Sequence, residues 1–178
     1  MSGKLVVRSD LWIDAVFDER LARTPDVSVG VFAVNGDAAA ARALLARAHV
    51  YHVSAAKDEL PRAWFASAGL IAQCPHLVCV SSSGAGYDTV DVAACTGAGI
   101  LVVNQSGGNA ASVAEHTLGM ILGLSRRMVE GDKRMRREIG YAREDVMGHE
   151  IAGKTIGLVG VAILARAWPR SRAPSVCR

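Results

Sequence analysis

Aromatic side chains make up only 5% of the 178 residues, so the apolar weight of the chain, 51% of its residues, is carried by Ala, Val, Leu and Ile. Charge is sparse as well, at 21%, while mean hydropathy is positive at +0.23. That combination excludes a disordered chain and leaves room for one domain, or one domain and part of another. The four cysteines, Cys74, Cys79, Cys95 and Cys177, contain no C-x-x-C pair, and no His and Cys fall at zinc-ligand spacing. No disulfide framework and no metal site are therefore expected, and the first three thiols read as small buried apolar groups. The longest apolar stretch, Ser112 to Leu124, includes Glu115 and His116 and is shorter than the ~20 residues a membrane span needs. No membrane partner is expected, and with no apolar leader before a cleavage site the expected location is the cytoplasm.

A basic surface is missing too. The formal charge of +3 divides into −3 over residues 1–124 and +6 over residues 125–178, and four of the positives (Arg166, Arg170, Arg172 and Arg178) stand in a closing stretch without acids. A nucleic-acid binder places its basic stripe on a folded domain, so no nucleic-acid partner is expected.

What is present is an alternation of short β-rich runs with helical spacing. Lys4–Arg8, Val27–Val34, Val50–Val53, Leu77–Ser81 and Ile100–Val103 read as strands. Helices are expected over Leu11–Ala22, over Asp37–Ala48 with Asp37 as cap, near Arg62–Cys74 and over Asp91–Thr96. Short apolar strands separated by helices predict an α/β fold with a parallel sheet covered on both faces. From Ser112 to about Glu138 the spacing predicts one long helix, apolar nearly all round in its first half, hence buried or at a subunit contact. Lys154–Gly160 reads as the first strand of a second sheet.

Three motifs could carry chemistry. Gly148–Thr155 satisfies the letters G-x-x-x-x-G-K-[ST], but it follows a polar helix and enters a strand, whereas a P-loop leaves a strand and opens a helix. It is not read as a phosphate loop. Gly84-Ala85-Gly86 lies just after a strand and before an Asp-capped helix, where glycines let backbone N–H groups approach an anion; a plain tight turn is the competing reading. Asn104–Asn109 carries two adjacent glycines and reads as a hinge, with Asn109 or Ser112 capping the long helix. The neighbours Glu115 and His116 point in different directions on a helix, which favours packing over acid–base work.

Taken together, Ser83–Asp91, Gly99–Asn104, Gly108–Thr117 and Gly153–Gly160 resemble, in order and spacing, consecutive signatures of the D-isomer-specific 2-hydroxyacid dehydrogenases. The resemblance implies a flavodoxin-like substrate domain over residues 1–103, a hinge and long connecting helix over 104–153, and the first strand of an incomplete Rossmann domain over 154–178. It implies that Gly84, Ala85 and Gly86, with Asn109, hold a small 2-hydroxy or 2-oxo acid, and that Val113 and Gly160 lie against a cofactor, NAD or NADP. It further implies hydride transfer between nicotinamide and the acid, and a homodimer built on the long helix. The sequence departs from that pattern after Gly160: Ala162 stands where a dinucleotide loop needs its second glycine, and no acidic residue follows for a ribose. The family's catalytic Arg, Glu and His belong beyond this point, so no catalytic residue is assigned to this chain. A change of reading frame after Gly160 is the expected origin of the Arg- and Pro-rich tail, to be tested by looking for a G-x-G-x-x-G continuation in the other frames. The alternative expectation is an inactive fragment that self-associates through its long helix or binds small carboxylates weakly.

Overall fold

The computed structural model describes residues 3–157 and residue 159. The chain divides into two compact units, the first running to Ser106 and the second beginning at Gly107.

The first unit is built on five strands: β1 (Lys4–Ser9), β2 (Val27–Phe32), β3 (Val50–Val53), β4 (Cys79–Ser82) and β5 (Leu101–Val103). All neighbours pair parallel, in the order β2-β1-β3-β4-β5. This is the flavodoxin-like order, in which the winding reverses direction between β1 and β3. Parallel pairing forces a crossover after each strand. The helices α1 (Ala15–Ala22), α2 (Ala38–Leu45), α3 (Ala68–Ile71) and α4 (Val92–Gly97) lie along these crossovers. Each begins at a side chain that satisfies its otherwise unpaired N–H groups: Asp14 accepts from Val16, Asp37 from Ala39 and Ala40, Ser67 from Leu70 and Asp91 from Ala94. The expected Asp37 cap is therefore present.

Because side chains alternate along a strand, Val7, Tyr51 and Val80 fall on one face of the sheet, and they are fully buried there. They form one core with Leu45 of α2, Leu70 of α3 and Cys95 of α4. Tyr51 buries its ring but keeps its hydroxyl paired, donating to Trp64 O at 2.7 Å, and burial pushes that phenol far above its ordinary range. The other face is different in character. Arg8, His52 and Ser81 stand in register across β1, β3 and β4, so three polar residues form a row under α1. Beyond α1, Val31, Leu101 and Val103 are exposed, so only one face of the sheet is covered in the way parallel strands predict.

Several expected elements are shorter or differently shaped. The region 62–74 is a 3-10 turn (Arg62–Trp64) followed by the single helical turn of α3, because Ser67 interposes a cap and Ala66 bridges to Val90. Cys74 and Cys95 are buried as expected, Cys79 is half-buried, and burial raises the pKa of all three thiols; Cys177 lies outside the described residues.

In the second unit the long helix is two: α5 (Ala110–Ser125) and α6 (Met128–Arg137), separated by Arg127 in the left-handed conformation at φ 51°. Arg127 is held there by its fork on Glu130, with Nε–Oε2 at 2.8 Å and Nη2–Oε1 at 2.6 Å. A left-handed residue breaks the i to i−4 ladder, which hydropathy spacing does not register. Nor is α5 buried: it has no buried residue. Gly148 explains itself by contact. A Cβ there would lie 2.5 Å from both Arg126 Cα and Ser125 O, and the adjacent His149 N–H donates to Ser125 O at 2.7 Å. The segment therefore seals the end of α5, preceded by a 3-10 turn (Arg143–Val146) and not by a strand. The strand expected over Lys154–Gly160 is not seen over Thr155–Gly157, which form no regular element; Leu158, Gly160 and the closing 161–178 stretch lie outside the described residues.

Candidate functional site

The end of β4 runs directly into Ser83-Gly84-Ala85-Gly86, and the hydrogen bonding of this loop is one-sided. Three of its four carbonyls are engaged: Gly84 O accepts from Gln105 N at 2.9 Å, Ala85 O from Asn104 Nδ2 at 2.8 Å, and Gly86 O from Ser82 Oγ at 2.6 Å. The N–H groups of Ala85 and Gly86 donate to no acceptor among the described residues, and both residues are exposed. A backbone N–H without a partner is a standing demand for an acceptor. The N–H of Gly84 has no acceptor among the described residues either, so three successive N–H groups stand open beside carbonyls that are engaged.

Three neighbours make this loop rigid. Ser82 is fully buried, and its hydroxyl donates outward to Gly86 O of the exposed loop. Asn104, at the end of β5, has its amide orientation fixed on both sides, because Oδ1 accepts from Ser106 N at 3.4 Å while Nδ2 donates to Ala85 O. Gly84 packs against the loop after β3: a Cβ there would fall 2.9 Å from the Ala55 methyl, whereas nothing stands within 4 Å of the corresponding position at Gly86. The loop after β3 is tied in turn, with Ala55 N donating to Ser83 Oγ at 3.1 Å and Thr89 Oγ1 donating to Ser54 O at 2.8 Å.

Beside the loop, at the carboxyl ends of β1 and β3, lies a cavity of about 890 Å³. Ser83 and Gln105 form its border with the glycine loop, Ser54 and Ala55 its floor, and α1 its far wall through Val16 and Phe17. That wall is fastened to the sheet at two points. Phe17 stacks on His52 with ring centroids 4.3 Å apart, and Asp18 receives both Nε (3.0 Å) and Nη2 (2.5 Å) of Arg8. His52 itself is 4% exposed; its Nδ1 lies 3.1 Å from Ser81 Oγ and its Nε2 has no partner. Burial, reinforced by the Arg8 guanidinium and opposed by Asp18, lowers its pKa to about 4.

The residues predicted from sequence fall into both units. Gly84, Ala85 and Gly86 are together in the first. Asn109 stands in the second, at the N-cap position of α5 but with no side-chain capping bond, and Val113 lies one turn further on. Glu115 and His116 are exposed on α5. Gly160 lies outside the described residues. Sequence reasoning missed Ser82 and the α1 wall, and it saw Asn104 only as part of a hinge. An Asn directly after a strand, at the same sheet edge as a glycine loop, was the available signal. Among the described residues no group of three or more His, Cys, Asp or Glu could hold a metal ion, and no helix is long and apolar enough to cross a membrane. A dinucleotide pyrophosphate needs a strand, a glycine turn and a helix N-terminus. Thr155–Gly157 form no regular strand, and Gly160 with the residues after it lies outside the described residues.

The fold and the loop define a class: an open α/β domain with a parallel sheet and a hydrogen-bonded glycine loop at a strand's carboxyl end. Within it, the family model described as "D-isomer specific 2-hydroxyacid dehydrogenase, catalytic domain" matches residues 26–166, and the chain belongs to this family. Among similar proteins, D-3-phosphoglycerate dehydrogenase of Mycobacterium leprae is 44% identical over 94 residues, 53% of this chain and 18% of that protein. The Homo sapiens D-3-phosphoglycerate dehydrogenase is 38% identical over 100 residues, 56% of this chain and 19% of that protein. Two solved structures share the fold. D-lactate dehydrogenase from Aquifex aeolicus, complexed with NAD and lactic acid, superposes with a TM-score of 0.72 at 21% identity, covering 93% of this chain and 46% of that one. NAD-dependent formate dehydrogenase from Staphylococcus aureus, in complex with NAD, gives 0.69 at 24% identity, covering 93% and 51%. The chain thus spans about half the length of these structural relatives.

Proposed function

We propose that the first unit is the substrate-binding domain of an NAD(P)-dependent oxidoreductase lineage and that it binds the carboxylate of a small 2-hydroxy or 2-oxo acid on the N–H groups of Ala85 and Gly86. The observation that carries this reading is the one-sidedness of the loop: three carbonyls are engaged while the neighbouring N–H groups of Ala85 and Gly86 find no acceptor among the described residues. A carboxylate supplies two oxygens with the spacing to accept from two adjacent amides, and charge-assisted bonds of this kind are roughly twice as strong as neutral ones. The name of the Aquifex aeolicus structure, with lactic acid bound, points to the same chemical class. On this reading Asn109 belongs to the substrate side, residues 104–153 are hinge and connector, and Val113 and Gly160 face a nicotinamide cofactor supplied with a dinucleotide domain. Hydride transfer belongs to that larger assembly. This chain's own part is to fix the acid by its carboxylate and present its C2.

The test follows amide resonances of the ¹⁵N-labelled chain during titration with glyoxylate and with glyoxylamide. Shifts centred on Ala85 and Gly86 with the acid, and absent with the amide, are expected. Equal responses to both compounds would remove the carboxylate from the reading.

A second reading, association of two chains through the second unit, is favoured by the 80% exposure of Leu124 together with exposed Met120 on the same helix. Contiguous exposed apolar side chains favour burial against a partner. Sedimentation of the chain across a hundredfold range of concentration tests it. A single monomeric species throughout would dispose of it.

A further inference from the structure

The cavity beside the glycine loop lies where the strand order reverses between β1 and β3, walled by the segments that follow those two strands. Ligands of open α/β sheets gather at such switch points. The cavity adjoins the glycine loop: Gln105 lines it and its N–H donates to Gly84 O, and Ser83 lines it and accepts from Ala55 N. A 2-hydroxy acid seated on Ala85 and Gly86 therefore has this space for whatever group it carries beyond C2.

The walls state what that group is. Trp12, Ile13, Val16, Phe17 and Leu21 present an apolar surface along the α1 side. Trp12 is 87% exposed, an indole left in water at the mouth of a cavity. An aromatic so placed gains most from a ligand that covers it. The ionisable side chains on the walls are Asp14, Arg20 and Glu59, one cation against two anions. Asp14 is engaged with Val16 N as the cap of α1. A phosphate, bearing about −1.5 to −2 charges, is recognised by clustered Arg and Lys in forked geometry, and a single Arg beside two carboxylates does not supply this. The wall is also preformed, since α1 is fastened by Phe17 on His52 and by Asp18 on Arg8, and a preordered wall spares a ligand the cost of ordering it.

We infer that this cavity selects 2-hydroxy or 2-oxo acids with an apolar, branched or aromatic tail over those with a phosphate, so that the acid taken by this chain differs from the one in the name of its D-3-phosphoglycerate dehydrogenase relatives. The inference rests on the carboxylate reading of the Ala85–Gly86 loop. Trp12 and Phe17 grip the tail, and Glu59 repels a second negative charge.

The experiment compares lactate, 2-hydroxy-4-methylpentanoate, 3-phenyllactate and 3-phosphoglycerate by calorimetry on the full chain, with 4-methyl-2-pentanol as a tail that lacks the carboxylate. The two acids with apolar tails are expected to bind about tenfold more tightly than lactate, and 3-phosphoglycerate no more tightly than lactate. In Trp12→Ala the ratio of phenyllactate to lactate affinity should fall at least threefold; the exposed position makes loss of folding a poor explanation, and circular dichroism checks it. In Glu59→Arg, 3-phosphoglycerate should gain at least threefold. Acids that bind equally whatever their tail, or 3-phosphoglycerate binding most tightly, would overturn the inference and leave the carboxylate reading standing. If 4-methyl-2-pentanol binds as tightly as 2-hydroxy-4-methylpentanoate, the cavity exists but the carboxylate reading fails, and with it the assignment of this cavity to an acid. If none of the five binds, both fall.

Discussion

Asn104 Nδ2 and Ala85 O are 2.8 Å apart, joining the end of β5 to the loop after β4 across nineteen positions of sequence. The bond fixes the Ala85–Gly86 peptide through its carbonyl, and the N–H of the same peptide, that of Gly86, has no acceptor among the described residues. Replacing Asn104 by Ala should lower carboxylate affinity about five- to tenfold, the equivalent of one lost bond of ~1 kcal/mol. Because Asn104 is exposed, stability should change by less than about 1 kcal/mol. Calorimetric titration with glyoxylate beside a thermal melt separates the two effects.

Gly84 and Gly86 should behave oppositely when each is changed to Ala. At Gly84 the new methyl meets the Ala55 methyl at 2.9 Å, so the two loops must part and stability should fall by about 1–2 kcal/mol. At Gly86 there is open space, so the fold should tolerate the methyl while carboxylate affinity drops at least threefold. Denaturant unfolding and ligand titration of both variants make the comparison. A Gly86→Ala protein that binds as well as the parent would contradict the assignment of its amide.

His52 predicts a specific pH dependence of stability. Its folded pKa of about 4 lies below the ordinary 6.5, so the unfolded chain takes up a proton between these values that the folded chain refuses. Stability contributed this way is complete above pH 6.5 and declines as the pH falls toward 4, by about 3 kcal/mol in all. His52→Gln cannot titrate, so the difference in stability between parent and variant should slope across this window and flatten above it. Urea unfolding at pH 7.5, 6, 5 and 4 reads the slope; parallel curves would show that the ring is not held neutral.

Gly148→Ala should disrupt the second unit. The added methyl would stand 2.5 Å from Arg126 Cα and Ser125 O, both backbone atoms at the end of α5 that have no rotamer by which to withdraw. Losing the local packing and the His149 N–H bond to Ser125 O should cost about 2–3 kcal/mol. Hydrogen exchange is the measurement, with faster exchange expected over α5 and α6 and little change in β1–β5.

The strands, the Asp37 and Asp91 caps and the position of the glycine loop were legible in the sequence because they are local. Alternation places Val7, Tyr51 and Val80, and an acidic side chain caps a helix within three residues of itself. The family was legible for a related reason, since its signatures are short runs at fixed spacing. The break at Arg127 was not, because hydropathy continues through it and only a backbone angle changes. Nor was the exposure of α5, since an apolar helix looks alike whether or not a surface covers it.

A composition poor in aromatics and charge, with short apolar runs between helical spacings and Gly84-Ala-Gly86 after one of them, determined an α/β chain with a glycine turn at a strand end. How the hydrogen bonds of that turn run was decided by its partners, two of them on the far side of α4 and β5 in the chain. Ser82, Asn104 and Gln105 each take one carbonyl of the loop, while the N–H groups of Ala85 and Gly86 have no acceptor among the described residues. The same holds for the few aromatics the chain has: Trp12 and Phe17 carry no signal in the sequence, and the reversal of winding between β1 and β3 set them on the wall of a cavity. Hydrogen-bond direction and cavity shape depend on which strand ends become neighbours, and that is fixed by the packing of the whole sheet, beyond the reach of any local run of residues.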